Sequence, residues 1–567
     1  MKVSDYIIQY FEQRGVRVIF GYIGGMITHL VDSITQNENI KFVQVYHEQT
    51  AAIAAEGYAL ASNGIGVAIS TSGPGVTNMI TGIADAYFDS IPVVYISGQV
   101  NSYEYKYDKS IRQQGFQETD VVSIVKPITK YAKLVDKEER IRYELDKACH
   151  IAQSDRPGPV LLDIPMNIQR AEVDPDLLSS YIPLEIKSNN FDKEEIHQLI
   201  ASAKHPMILA GAGCKSEHAQ CELNKFIERT SVPSITSLMG KGCVDENLPN
   251  HMGMVGSYGN RCANMATTKV DLLIALGTRL DTRQTGAMIE SFVPKGQIIH
   301  VDIDVDELEN HRLTNRRAIH FSTEDFLDWL NETIQELSID KTWIQELENL
   351  KENHNQEKEI EQFVENKSPY LFMQALNRIC PPKTIYTADI GQNQMWAAQT
   401  LKLKPQQQFV TSGGLAPMGF SLPAAVGMSF ALPDTPIISI NGDGGFHMAT
   451  QSLMLISQYD LPVKVLVMNN ETLGMITQFQ QLYFGGRLAA TSNEGGYVVP
   501  DISKLAEAYS LKYYKINEND LSNKTLLDSI FANRNCIIEY AINKLTTVSP
   551  KLEFNKPIGE PSPALNT

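Results

Sequence analysis

Apolar and polar positions change period repeatedly along the chain. The short apolar runs Phe42-Val43-Gln44-Val45, Gly66-Val67-Ala68-Ile69-Ser70 and Pro92-Val93-Val94-Tyr95-Ile96 alternate with helical stretches, one of them from about Glu48 to Ser62. Runs that are apolar on both faces and separated by helices predict buried, parallel strands. A second series contains Pro206-Met207-Ile208-Leu209-Ala210, Asp271 to Leu276 and Ile298 to Asp304; a third contains Pro436 to Ile440 and Leu461 to Met468. Asp174-Pro175-Asp176 and Lys187-Ser188-Asn189-Asn190 interrupt the first series. The charged stretch from Trp343 to Glu361 closes the second and is expected to be a solvated helix and linker. The pattern predicts doubly wound α/β domains at 1–185, 190–345 and 365–545, then a tail at 546–567.

Composition narrows the function. The 567 residues exceed one hydrophobic core, and 43% apolar with 20% charged residues is ordinary for a globular protein. A net charge of -17 without any cluster of Lys and Arg argues against nucleic acid as a partner. Asp5 and Glu12 break the apolar positions of the N-terminus, and no later run is long enough for a bilayer, so no membrane partner and a cytoplasmic location are expected. Seven cysteines without a CxxC pair predict reduced thiols. No Ser or Cys stands in a nucleophile motif.

Ligands of open α/β sheets gather beyond the C-terminal strand ends, which directs attention to Glu48, the turn Ser72-Gly73-Pro74-Gly75 and the ends of the third series. There Gly442-Asp443-Gly444 is followed after 24 residues by Asn469-Asn470, both directly after apolar runs. Gly-Asp-Gly alone is a common tight turn. The spacing adds an amide oxygen on a neighbouring strand end, the donor set of a hard divalent cation, with glycines that let the backbone approach a diphosphate. A helix from about Ala449 is expected to direct its N-terminus at the phosphates.

This combination resembles the thiamine-diphosphate (ThDP) signature, and the likeness widens to nearly the whole chain. Phe20 to Gly25, Thr71 to Asn78, Gly115 to Asp120, Arg156 to Val160, Ser237 to Gly242, Gly391 to Gln399 and Ser412 to Phe420 are similar to the acetohydroxyacid (acetolactate) synthase family. The resemblance implies three α/β domains that bind the pyrimidine, FAD and the diphosphate, the fold of ThDP-dependent decarboxylases and carboligases. It implies Mg²⁺ on Asp443, Asn470 and the Thr472 carbonyl, and diphosphate contacts from Gln392, Asn393, Gly442, Gly444 and Gly445. Met418 would bend the cofactor, the Ala416 carbonyl would take the pyrimidine amine, and Ser72, Pro74 and Asn78 would border it. Glu48 would hydrogen-bond the aminopyrimidine ring, and Gln117 would face the reacting centre. Taken alone, a Glu in a first helical turn complements the helix dipole, and a Met among glycines fills core space.

FAD, without redox turnover, is implied at Gly211, Gly213, Gly256, Arg279, Asp302 and Asp304, although Gly-Ala-Gly lacks the full GxGxxG spacing. Phe116, Met239, Arg283 and Phe479 would meet substrate. The family-type activity is decarboxylation of pyruvate and transfer of its two-carbon unit to a second carbonyl, in a homodimer or homotetramer with sites between subunits. Three departures, Met166 for Lys, Thr282 for Asp and Phe479 for Trp, leave the acceptor open. The alternatives are a ketone acceptor such as a nucleotide-activated keto-deoxysugar and, in another class, a flavin-dependent pyruvate oxidase.

Overall fold

A computed structural model describes residues 1–183 and 190–565. The expected junction at residue 185 and the last two tail residues lie outside them. Each third of the chain builds one six-stranded, all-parallel sheet. The first runs Lys41–Gln44, Val18–Tyr22, Gly66–Ser70, Val93–Gln99, Val160–Pro165, Tyr131–Leu134, which is chain order 2-1-3-4-6-5. The third repeats that order with Gln408–Thr411, Ile385–Ala388, Ile437–Gly442, Val463–Asn469, Cys536–Ala541 and Tyr513–Ile516. The middle sheet runs Arg316–His320, Gln297–Asp302, Leu272–Leu276, Pro206–Ala210, Ser234–Thr236, His251–Met254, the 6-5-4-1-2-3 order of dinucleotide-binding sheets. Strands such as Pro206–Ala210 and Leu272–Leu276 are buried at every position, as parallel sheets covered by helices on both faces require.

The first and third sheets share a continuous apolar core. At its centre the Glu48–Ser62 helix packs on Ser421–Ala431, each following the second strand of its own domain. Glycine permits the approach: a Cβ at Gly427 would lie 1.8 Å from Ala54 O, and one at Gly57 2.2 Å from Ala424 O. Asn63, in the left-handed region at φ 51°, ends the first helix, a conformation that Asn tolerates better than most residues.

One expectation changes. The 343–361 stretch forms the helices Lys341–His354 and Gln356–Phe363, but it is not simply solvated. Trp343 is fully buried, its indole N–H donating to Pro206 O, and Glu359 forms a bidentate pair with Arg261 at 2.6 and 3.0 Å. The tail is docked: Arg261 also donates to Pro561 O and Pro563 O, Leu552 N donates to Ser257 O, and Ile558 is buried. The seven cysteines are free, six of them buried, and no helix among the described residues is long and apolar enough to cross a membrane.

Candidate active site

In the third domain the Ile437–Gly442 strand runs straight into the Asp443–Met448 helix, six residues earlier than the expected start at Ala449. Glycine is required along this turn because a Cβ at Gly445 would stand 2.5 Å from Asp389 Oδ1, and one at Gly444 2.8 Å from Leu473. Gly442 is looser, 3.2 Å from Asn393 Oδ1 by the same construction. Asn393 donates to Asp389 O and Ile440 O, which pins the start of the Gln392–Thr400 helix to the strand end. Gln392 donates to Gln478 Oε1 and Thr546 O and accepts from Asn470 Nδ2.

The neighbouring strand ends at Asn469, and Glu471 follows at φ 53°, a left-handed residue that turns the chain back on itself. As a result the side-chain amide of Asn470 meets Thr472 O at 2.8 Å and Asp443 Oδ2 at 3.2 Å; its nitrogen there would donate to both, whereas its oxygen there makes a third oxygen beside them. Turning the amide over would place N–H there, but it would aim the amide oxygen at Gln392 Oε1, 3.1 Å away. A cation resolves the contact without that cost. Octahedral Mg²⁺ with bonds of ~2.0 to 2.1 Å sets adjacent oxygens about 2.9 Å apart, so the two separations at Asn470 are of the size such a site requires. Burial pushes the Asp443 carboxyl up to about 6, against the pull of hydrogen bonds from Tyr497 and the backbone. Among the described residues no cluster of three His, Cys, Asp or Glu exists, so amide and carbonyl oxygens must complete any metal site.

The loop after the Gln408–Thr411 strand overlooks this cradle. Ala416 is held at φ 59°, with its N–H on Ser412 Oγ at 3.0 Å, and a Cβ at Gly444 would lie 3.1 Å from the Met418 methyl. Acids of the first domain hold the loop: Ser412 Oγ donates to Asp85 Oδ1, and Gly413 N and Gly414 N donate to Asp89. Burial pushes Asp85 up to about 8, and burial beside Asp85 and Asp89 keeps Glu56 well above the usual carboxylate range. Sequence patterning missed Asp85, Asp89, Ser412 and Tyr497; two acids four residues apart on an otherwise apolar helix were the available signal for the first pair.

In the first domain Glu48 opens its helix and is 6% exposed. Asn78 Nδ2 donates to Glu48 Oε2 at 2.9 Å, and a Cβ at Gly75 would meet Oε1 at 3.3 Å. Gly73, at φ +63°, folds the turn under Gln117, itself left-handed at φ 61°, and Pro74 starts the Pro74–Phe88 helix. Ser72 Oγ is buried without a partner. Glu48, Ser72, Pro74, Asn78 and Gln117 therefore form one group, and Gln392, Asn393, Ala416, Met418, Gly442 to Gly445, Asn470 and Thr472 another. The chain joins the two groups through the Glu48–Ser62 and Ser421–Ala431 helices.

A cavity of about 1700 Å³ opens among all three domains, lined by Gly213, Gly256, Arg279, Asp302, Met239 and Arg283 among others. Gly211 supports it from behind, where a Cβ would lie 2.2 Å from Gly277 O. Asp304 is committed elsewhere: it caps the Val305–Glu309 helix and pairs with Arg156 at 2.8 Å. Burial raises the Asp302 carboxyl and lowers Arg283, whose guanidinium donates to Gln394 Oε1. Phe116, 80% exposed, and Phe479 do not line the cavity. Phe479 stacks with Tyr483, Phe484 and, from the tail, Phe554.

Comparison with known proteins agrees with this architecture. Residues 1–124, 194–330 and 389–539 match the N-terminal TPP binding, central and C-terminal TPP binding domains of thiamine pyrophosphate enzymes. The chain is 35% identical to acetolactate synthase isozyme 2 large subunit of Escherichia coli, over 97% of each chain. It is 36% identical to acetolactate synthase of Arthrospira platensis, over 92% of this chain and 90% of that one. It is also 36% identical to the acetolactate synthase large subunit of Corynebacterium glutamicum, over 88% and 80%. With a cation cradle, a glycine-lined strand end and a buried Glu on matching domains, the chain belongs to the acetolactate synthase family of thiamine pyrophosphate enzymes.

Proposed function

We propose that the protein decarboxylates pyruvate with ThDP and Mg²⁺ and joins the two-carbon unit to a second pyruvate, forming acetolactate. The observation that carries this is the convergence of the Asp443 carboxylate, the Asn470 side-chain amide and the Thr472 carbonyl beside a glycine-lined helix start. Relatives named for acetolactate synthesis support the acceptor, and no observation favours the keto-sugar or oxidase alternative.

Asp443 Oδ2, Asn470 Oδ1 and Thr472 O would hold the cation. The backbone at Gly442, Gly444 and Gly445, with Gln392 and Asn393, would receive the diphosphate, and Ala416 O and Met418 would set the pyrimidine. When bound, the cofactor supplies a carbon nucleophile and a place for the electron pair left by CO₂. Glu48 binds Asn78 through Oε2, which leaves Oε1 to share a proton with a ring nitrogen. The unpartnered Ser72 hydroxyl and Gln117, which packs on the Ser72–Gly75 turn, orient donor groups near that proton. Arg283, half-buried in the cavity wall, offers a cation for the acceptor carboxylate.

The dinucleotide-type sheet order and the adjoining cavity support FAD, held through Gly211, Gly213, Gly256, Arg279 and Asp302, with a structural rather than redox part. Likeness to the acetolactate synthase family carries the expectation of a homodimer or homotetramer in which two copies complete each site. Seven unpaired cysteines support a reducing, cytoplasmic setting. The test is product analysis with pyruvate, ThDP and Mg²⁺: wild type forms acetolactate, and Glu48→Gln slows decarboxylation by ~10² to 10⁴-fold. Unchanged decarboxylation in Glu48→Gln would overturn the mechanism.

A further inference from the structure

Tyr497 touches the cation cradle from outside the motifs that define it. Its hydroxyl donates to Asp443 Oδ1 at 2.6 Å. The other carboxylate oxygen, Oδ2, faces Asn470 Oδ1 and Thr472 O and accepts from the N–H groups of Asn470 and Glu471 at 3.2 and 2.8 Å. The two oxygens are thus divided, one for the cradle and one for Tyr497. An aspartate's terminal torsion is broad and roughly two-fold, so a carboxylate bonded on one side only is free to rotate out of register. Carboxylates that ligate metals are held by outer hydrogen bonds for this reason.

The position of Tyr497 follows from its segment. After the Gly474–Tyr483 helix the chain is tied back by Leu473 N on Thr491 O, then reverses through Gly495 and Gly496, where Gly496 has φ +97° and Tyr497 N donates to Ser492 O. This reversal carries the phenol inward until a Cβ at Gly444 would lie 3.1 Å from its hydroxyl, the same separation as from the Met418 methyl. The segment therefore closes on the metal carboxylate and on the glycine turn together.

We propose that Tyr497 is a positioning residue for the divalent cation, fixing the Asp443 carboxylate so that Oδ2 points into the cradle and coupling cation binding to closure of residues 485–500. The proposal rests on the assignment of Asp443, Asn470 and Thr472 as cation ligands. Coupling is reciprocal: the cation must stabilise the closed segment by the same factor that closure strengthens cation binding.

The experiment measures Mn²⁺ binding to the full-length protein with saturating ThDP, by the electron paramagnetic resonance signal of free Mn²⁺, in wild type, Tyr497→Phe and Asp443→Asn. Limited proteolysis within 485–500 is followed with and without Mn²⁺. Tyr497→Phe keeps the ring, so the thermal midpoint of the metal-free protein stays at the wild-type value. Its Mn²⁺ affinity falls ~10 to 100-fold, and Mn²⁺ no longer slows cleavage of the segment. Wild-type affinity and wild-type protection in Tyr497→Phe would overturn the proposal while leaving the ligand assignment standing, provided Asp443→Asn loses binding. Intact Mn²⁺ binding in Asp443→Asn would overturn the ligand assignment and the proposal with it. A lowered metal-free midpoint in Tyr497→Phe without any change in Mn²⁺ affinity would reduce Tyr497 to a packing role.

Discussion

The first and third domains share one strand order, yet they use its corresponding positions for different chemistry. In both, the helix after the second strand packs at the shared core. In the first domain it begins with a buried acid, Glu48; in the third a loop precedes it, and that loop carries Ala416 and Met418. The third and fourth strand ends diverge further. In the third domain they bring together the Asp443 carboxylate, the Asn470 side-chain amide and the Thr472 carbonyl. In the first, the fourth strand end is closed by Ser97 and Gln99, both donating to Asp163, while Ser72 after the third strand keeps an unpartnered hydroxyl. One topology thus yields a closed polar network in one copy and an open cation cradle in the other. What separates them is the group each side chain meets: Gln99 donates to the Asp163 carboxylate, whereas the Asn470 amide lies between Gln392 and the Asp443–Thr472 oxygens.

The comparison breaks most severely at the helix contact that joins the two domains. Gly427→Val would drive a side chain into Ala54 O, where even a Cβ stands at 1.8 Å. A loss of about 3 kcal/mol or more, or no soluble fold, is expected in denaturant unfolding. Next in size, Asn470→Leu removes the cradle: Mg²⁺-dependent retention of ThDP in equilibrium dialysis falls beyond the ~100-fold that outer-shell losses reach. Asp163→Asn, which alters the closed network, leaves that retention unchanged.

A pH change sharpens the contrast and adds the middle domain. Burial pushes Asp163 up to about 7 and His251 down to about 3. Between pH 7 and 5 the folded Asp163 takes up a proton that the unfolded chain does not, so its domain gains stability as pH falls through that window. His251 stays neutral when folded while the unfolded imidazole protonates, so the middle domain loses stability over the same range. Each fully shifted group contributes about 1.4 kcal/mol per pH unit. Hydrogen exchange corrected for intrinsic rates should therefore change in opposite directions at Val160–Pro165 and His251–Met254; equal changes would contradict the assignment. The smallest effect is expected at Gly25, where a Cβ meets nothing within 4 Å. Gly25→Ala should move unfolding by less than ~0.5 kcal/mol.

Much of this was legible locally. The Glu48–Ser62 helix, the buried strands and the spacing from Gly442-Asp443-Gly444 to Asn469-Asn470 all follow from short-range patterning. The helix start at Asp443 did not, because Gly444 and Gly445 have poor helix propensity and read as a turn; close approach to Leu473 at the first and to Asp389 at the second is what favours them. Asp85 and Ser412 meet across 327 residues, and Tyr497 reaches Asp443 across 54, so no local period could announce either pair. Phe116 and Phe479, named by resemblance, are not among the residues that line the cavity with Met239 and Arg283. The charged surface of the 343–361 helices concealed Trp343, Leu347, Leu350 and Ile360, whose burial anchors the stretch.

The guanidinium of Arg261 draws its partners from two places, Glu359 and the carbonyls of Pro561 and Pro563. On a ribosome the first becomes available roughly a hundred residues after the arginine, the others only about two hundred residues later still. A nascent middle domain therefore carries a cation whose polar shell stays half-built until the residues around Pro561 and Pro563 have been made. Release of a chain that stops short of them would leave the unfinished shell open to water.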